Sequence, residues 1–172
     1  MKHFVAVIKP EPLAVLLRAI DTYDGTLVVR SALKLAPLLM LRPGELRQAR
    51  CEEFDLYHGL FYVPSIRLKR TKLEKQNGLP HLVPLARQAV AILEELFKHT
   101  GLVFPAEGRT GRCMSDNTLN AALRAMGYTK EAATAHGFRT TARTLVVEML
   151  QYPESVVEMQ LDHAVKDANG TA

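Results

Sequence analysis

Thr134-Ala135-His136-Gly137-Phe138-Arg139-Thr140-Thr141 is the stretch from which the rest of the chain can be read. His136 and Arg139 open an apolar run of Phe138, Ala142, Leu145, Val146 and Met149, whose spacing predicts a helix. Residues at i and i+3 share a helix face, so an imidazole and a guanidinium there can reach one ligand. A helix N-terminus adds N–H groups and a dipole that favour an anion. On its own, a His-x-x-Arg pair describes many solvated surface helices. Arg143 extends the same stripe, either as a solvated side chain or as the partner of a carboxylate.

Further polar residues acquire interest beside this pair. Arg42 follows the apolar segment Leu38-Leu39-Met40-Leu41 and precedes Pro43-Gly44, so it emerges from a buried element onto a rigid helix start. Glu45, one turn on, either caps that helix or orients Arg42. Lys69 ends Ile66-Arg67-Leu68-Lys69, and Lys72 and Lys75 follow closely. The residues alone do not choose among these three lysines. Asp162-His163, after a short predicted helix, offers a second imidazole, with Asp162 also readable as a local turn residue. Two guanidiniums, a lysine and two imidazoles, without a carboxylate cluster, are suited to gripping one phosphodiester without metal.

The periodicities predict a mainly helical α+β domain. A first helix opens at Pro12, presents Leu13, Leu16, Leu17 and Ile20, and ends at Asp24-Gly25. A second, apolar on most faces, spans 26–40 and should be central. A third starts at Pro43. The period then changes: 54–64 reads as a β-hairpin turning at His58-Gly59 and continued by 66–69, and 81–85 reads as an edge strand or strand end. The polar stretch 70–80 reads as a long mobile loop. Three helices follow: one marked by Ala89, Ile92, Leu93 and Leu96 and closed by Gly101, one capped by Ser115 or Asp116 and closed by Gly127, and the helix from Phe138 to Met149; a short one covers 153–161. The small sheet should lean on helices.

Bulk properties bound the rest. The 172 residues suit one domain, and 48% hydrophobic with 23% charged residues are globular values. A net charge of +4 is too mild to argue for nucleic acid by itself. Cys51 and Cys113 are too distant to suggest a zinc site or a disulfide framework. No metalloprotease, phosphate-loop or nucleophile-elbow motif is present, so no metal or cofactor is expected. The apolar region 27–41 is interrupted and too short to span a bilayer, and the start lacks a secretory signal. Both point to a soluble, cytoplasmic protein.

Taken together, the motifs resemble the catalytic domain of the tyrosine recombinases, in the wording of prophage and satellite-phage integrases. Leu41-Arg42-Pro43-Gly44-Glu45-Leu46-Arg47 resembles the family's first arginine box. Val63-Pro64-Ser65-Ile66-Arg67-Leu68-Lys69, followed by His81-Leu82-Val83-Pro84-Leu85, resembles its lysine hairpin. Thr134 to Arg139 resembles the His-x-x-Arg box, and Gln160-Leu161-Asp162-His163-Ala164-Val165 the second histidine box. The likeness covers almost the whole chain.

The resemblance implies the family's DNA breaking-rejoining fold and a reaction in which a tyrosine attacks a DNA phosphate and forms a 3′-phosphotyrosyl link. Arg42 and Arg139 would hold the non-bridging oxygens, Lys69 would protonate the leaving oxygen, His136 would act as general acid/base partner, and His163 would donate to the phosphate. Arg42, Lys69, Lys72 and Arg139 would contact double-stranded DNA. The longer protein would work as a tetramer on DNA, and this fragment would be a monomer or weak oligomer.

Three departures accompany the likeness. The family's tyrosine follows the second histidine by about ten positions, whereas Tyr23, Tyr57, Tyr62, Tyr128 and Tyr152 all precede His163. The stretch 70–80 expands the lysine hairpin. Residues 1–10 read as a linker into a single catalytic domain, with upstream DNA-binding domains absent. The expectation is therefore a truncated domain that binds DNA weakly and does not cleave it; a non-enzymatic DNA-binding remnant of a prophage integrase is the alternative.

Overall fold

In the computed structural model, residues 5–97, 101–109 and 111–163 are described. The helix expected to be central is so. α2 (Leu27–Leu39) is N-capped by Thr26, whose Oγ1 accepts from the Val29 N–H at 3.4 Å. Ser31, Ala32, Leu33, Leu35, Ala36 and Leu39 are buried along it. Around it pack α1 (Pro10–Asp21), α3 (Pro43–Arg47), α5 (Arg87–Leu96), α6 (Thr118–Ala125) and α7 (Gly137–Thr144). The chain is mainly helical with one small antiparallel sheet.

The sheet has three strands in the order β1 (Phe54–Asp55), β2 (Leu60–Val63), β3 (His81–Pro84). Gly59, at φ +66°, closes the β1–β2 turn in a left-handed conformation that costs glycine least, and the Asp55 carboxylate accepts from the His58 N–H at 2.9 Å. Alternation buries Phe61, Val63, His81 and Val83 and leaves Tyr62 and Leu82 outside. Phe54 stacks on Phe61 with ring centroids 4.0 Å apart, and its edge meets Phe97. The sheet thereby joins the helical core, and Pro84 lies on an edge strand, where its missing donor costs little.

Several expectations needed correction. α1 starts at Pro10, not Pro12, so the earlier proline takes the first helical position. Residues 65–67 form a 3-10 turn rather than more strand, because the Arg67 guanidinium is drawn to the Gln48 carbonyl and to Glu53, 2.6 Å away. The polar stretch after Arg70 is not a loop but carries α4 (Lys72–Asn77), capped reciprocally by Thr71 and Glu74. α6 begins after Asn117, not at a Ser115 or Asp116 cap; the Ser115 hydroxyl instead pairs with Thr118 at 2.9 Å. α7 stops at Thr144 and widens into a π turn at Leu145–Met149. α8 is Glu154–Gln160. Residues 98–100, before the expected stop at Gly101, lie outside the described residues, as do residues 1–4 of the linker and Ala164 and Val165 of the last motif.

Two long-range contacts fasten the N-terminal segment to α7 and to the turn just before it. The Val7 N–H donates to Thr141 Oγ1 at 3.1 Å, and Thr134 Oγ1 donates to the Val5 carbonyl at 3.3 Å. Gly137 sits beneath this strap, where an added Cβ would come within 2.1 Å of the Val5 carbonyl oxygen.

Candidate active site

The site is built where two helices end. α2 is closed by Met40 at φ +55°. α8 is closed by a Schellman turn: the Asp162 N–H donates to the Met159 carbonyl at 3.1 Å, the His163 N–H to the Glu158 carbonyl at 3.0 Å, and Asp162 stands at φ +50°. Arg139, projecting from the first turn of α7, enters between these ends and is only 5% exposed. Its Nη1 donates to the Met40 carbonyl at 2.8 Å, and its Nη2 donates to the Leu161 carbonyl and to His163 Nε2, 2.9 Å away. Helix C-termini concentrate negative partial charge, so this is a favourable berth for a cation. Burial, with the nearby Arg42 charge, lowers the Arg139 pKa to about 10 despite Glu45, Asp162 and Glu158. It remains charged at neutral pH.

Arg42 is held from the neighbouring α3. Buried Glu45 takes the Arg42 N–H on Oε2 at 2.9 Å and Nη1 on Oε1 at 2.7 Å. Both roles left open for Glu45 are thus filled by one carboxylate. Leu41, 4% exposed, anchors the backbone just before Arg42. The arginine is fixed at both backbone and side chain, and preorganisation of this kind is what an electrostatic catalyst requires.

His136 stands at the N-cap of α7. Burial pushes its pKa below the ordinary imidazole value, and Arg139, Arg42 and Lys69 push it further, against Glu45. One imidazole therefore feels all three cations, which places Arg42, Lys69, His136 and Arg139 in one neighbourhood. Lys69 itself is exposed, in the bend after the 3-10 turn. Lys72 and Lys75 stand on α4. His136 is neutral at pH 7 and so able to accept a proton.

His163 has both ring nitrogens engaged. A guanidinium only donates, so Nε2 facing Arg139 carries the lone pair, and Nδ1–H donates to the Glu158 carboxylate. Burial raises the Glu158 pKa, but hydrogen bonds from Arg143 Nε, at 2.5 Å, and from His163 outweigh it and keep the carboxyl below its ordinary value. Arg143 also pairs with Glu154, so it is a salt-bridge arginine. Glu158 was missed by sequence reasoning; its signal was the Glu154/Glu158 pair at i, i+4 on α8. Arg70 was missed as well, and Asp162 was singled out without a partner: they form an ion pair at 2.5 Å across ninety-two positions.

Carboxylates buttress two members of this set: Glu45 holds Arg42, and Glu158 holds His163. No group of three or more His, Cys, Asp or Glu suited to a metal occurs among the described residues. No helix among them is long and apolar enough to cross a membrane.

A profile described as the phage integrase family matches residues 6–168. The chain is 37% identical over 163 residues to the integrase of Enterobacteria phage P4, covering 88% of this chain and 36% of that protein. It is 36% identical to the putative protein IntB of Escherichia coli (strain K12), covering 89% of the chain and 41% of IntB. The chain thus spans well under half the length of these relatives. Among solved structures, XerA recombinase superposes with a TM-score of 0.70 at 17% identity, over 96% of this chain and 57% of that one. A lambda integrase fragment, crystallised as a dimer bound to a core site, superposes at 0.65 and 17% identity, over 96% and 60%. These distant structures establish the fold.

Proposed function

Because this chain belongs to the phage integrase family, we propose that it is the phosphate-gripping catalytic domain of a site-specific DNA recombinase that cuts and rejoins duplex DNA through a 3′-phosphotyrosyl intermediate. The observation that carries the reading is the convergence of Arg42, Lys69, Arg139 and neutral His136 on one neighbourhood. A tyrosine oxygen attacks phosphorus and the bond from phosphorus to the 5′-oxygen breaks. His136 takes the tyrosine proton, and Lys69 supplies a proton to the leaving 5′-oxygen. Arg42 and Arg139 stabilise the charge that builds on the non-bridging oxygens. Three of the five Arg139 donors hold Met40, Leu161 and His163, so Arg139 serves the phosphate with the remaining two N–H groups. His163 acts chiefly through Arg139, and reaches a phosphate only by giving up its present partner.

All five tyrosines precede His163, so none stands where the resemblance would put the nucleophile, and this reading assigns that role to none of them. Tyr23 and Tyr128 pack against the core, and Tyr57 sits 92% exposed at the hairpin turn. The domain acts in the cytoplasm on duplex DNA, within a longer protein that assembles as a tetramer.

Two measurements test this. Duplex binding should be weak and salt-dependent, and Arg42→Ala should reduce the slope of log K against log salt by about 1. A nicked suicide duplex should give no covalent adduct with these residues alone. An unchanged slope would remove Arg42 from the phosphate, and an adduct would overturn the assignment of the nucleophile.

A further inference from the structure

Asp162 occupies the position in the α8 terminal turn where a side chain is a disadvantage. The left-handed residue of a Schellman turn favours glycine, and Asp162 holds it at φ +50°. Its carboxylate is 10% exposed, and Oδ2 is buried without a hydrogen-bond partner. Both features are locally unfavourable. What the side chain gains is Arg70, whose Nη2 donates to Oδ1 at 2.5 Å.

Arg70 is the residue after Lys69. Its Nη1 also donates to the Leu79 carbonyl at 2.8 Å, closing the chain across α4. On the other side of Lys69, Leu68 is completely buried, and its carbonyl accepts the Arg70 N–H at 2.9 Å. Lys69 is therefore bracketed by one residue anchored in the core and one anchored on Asp162. One strand further on, His81 Nε2 meets the Gln160 carbonyl at 3.0 Å. The four residues 160–163 are thus held in turn by His81, Arg139, Arg70 and again Arg139.

We propose that Arg70 and Asp162 are a positioning pair for Lys69: they pin the lysine-bearing bend to the strip that carries His163 and an Arg139 acceptor, so that lysine, guanidinium and imidazole are set as one unit. The purpose of the pair rests on the reading of Lys69 as a phosphate-facing proton donor. The pinning does not.

The decisive variant is Asp162→Gly, which gives the helix end its preferred residue while deleting the pair. The thermal midpoint should stay equal or rise. Amide exchange over 69–79 should accelerate by about tenfold. Lys69 should also lose the protection against acetylation that a short DNA duplex gives it in the unaltered chain, read by mass spectrometry, with exposed Lys130 as control. Asp162→Asn, which tolerates the left-handed conformation and keeps an acceptor, should retain part of the protection. Arg70→Ala deletes the other half of the pair without touching the turn and should reproduce the Asp162→Gly pattern. Exchange and Lys69 protection unchanged in both Asp162→Gly and Arg70→Ala would overturn the proposal. If the unaltered chain showed no protection of Lys69 by DNA, the phosphate reading would fall and the function given to the pair with it, while exchange would still report whether the pinning exists.

Discussion

At the scale of single residues, the site is governed by how much positive charge surrounds a neutral imidazole. Burial and three cations hold the His136 pKa below its ordinary value. The unfolded chain, with an imidazole pKa near about 6.5, then binds a proton that the folded chain refuses. The sign follows: stability is intact above that ordinary value and is lost as pH falls from there toward the depressed pKa of the folded state. Urea midpoints should therefore drop between about pH 7.5 and about pH 5.5, and His136→Gln, which cannot titrate, should show a smaller drop. Equal drops in the two proteins would refute a depressed His136. A phosphodiester in the cluster offsets the cations, so DNA should move the imidazole titration upward in a proton NMR series.

At the scale of elements, α4 shows what patterning reveals and what it hides. Its six residues have no apolar stripe, and Leu73 is 69% exposed, so hydrophobic periodicity could not find it. The Thr71-x-x-Glu74 signature was in plain view but not followed by an apolar run. The Glu74 carboxylate accepts from the Thr71 hydroxyl and from its N–H at 2.8 Å, and these bonds hold its pKa below the ordinary range. Thr71→Ala should weaken the helix by about 1 kcal/mol, seen as faster amide exchange in 72–77 with little change in the global midpoint. A global loss of the same size would mean that α4 is integral to the core. The large amphipathic helices and the hairpin were legible because burial imposes period on them. The 3-10 turn at 65–67 was not, because it depends on Gln48 and Glu53, distant acceptors of Arg67. The same holds for the site: Arg139 and its partner His163 were visible in the order of their motifs, whereas the other two acceptors of Arg139 are backbone carbonyls, of Met40 and Leu161, which no side-chain pattern encodes.

At the scale of the whole molecule, the N-terminal segment and α7 are mutually dependent. Gly137 leaves no space for a methyl group under the Val5 carbonyl. Gly137→Ala should therefore cost about 1–3 kcal/mol, measured as a lowered thermal midpoint. In a chain lacking residues 1–8 the clash is gone and the penalty should largely vanish; a penalty that persists undiminished would locate the strain within α7 itself. The same strap carries a consequence for biogenesis. Its hydrogen bond from Val7 ends on Thr141, 134 positions later. During synthesis the segment around Val7 waits, unsecured by this contact, until Thr141 has emerged from the ribosome 134 residues later, so the berth of α7 closes only after most of the domain core has been made.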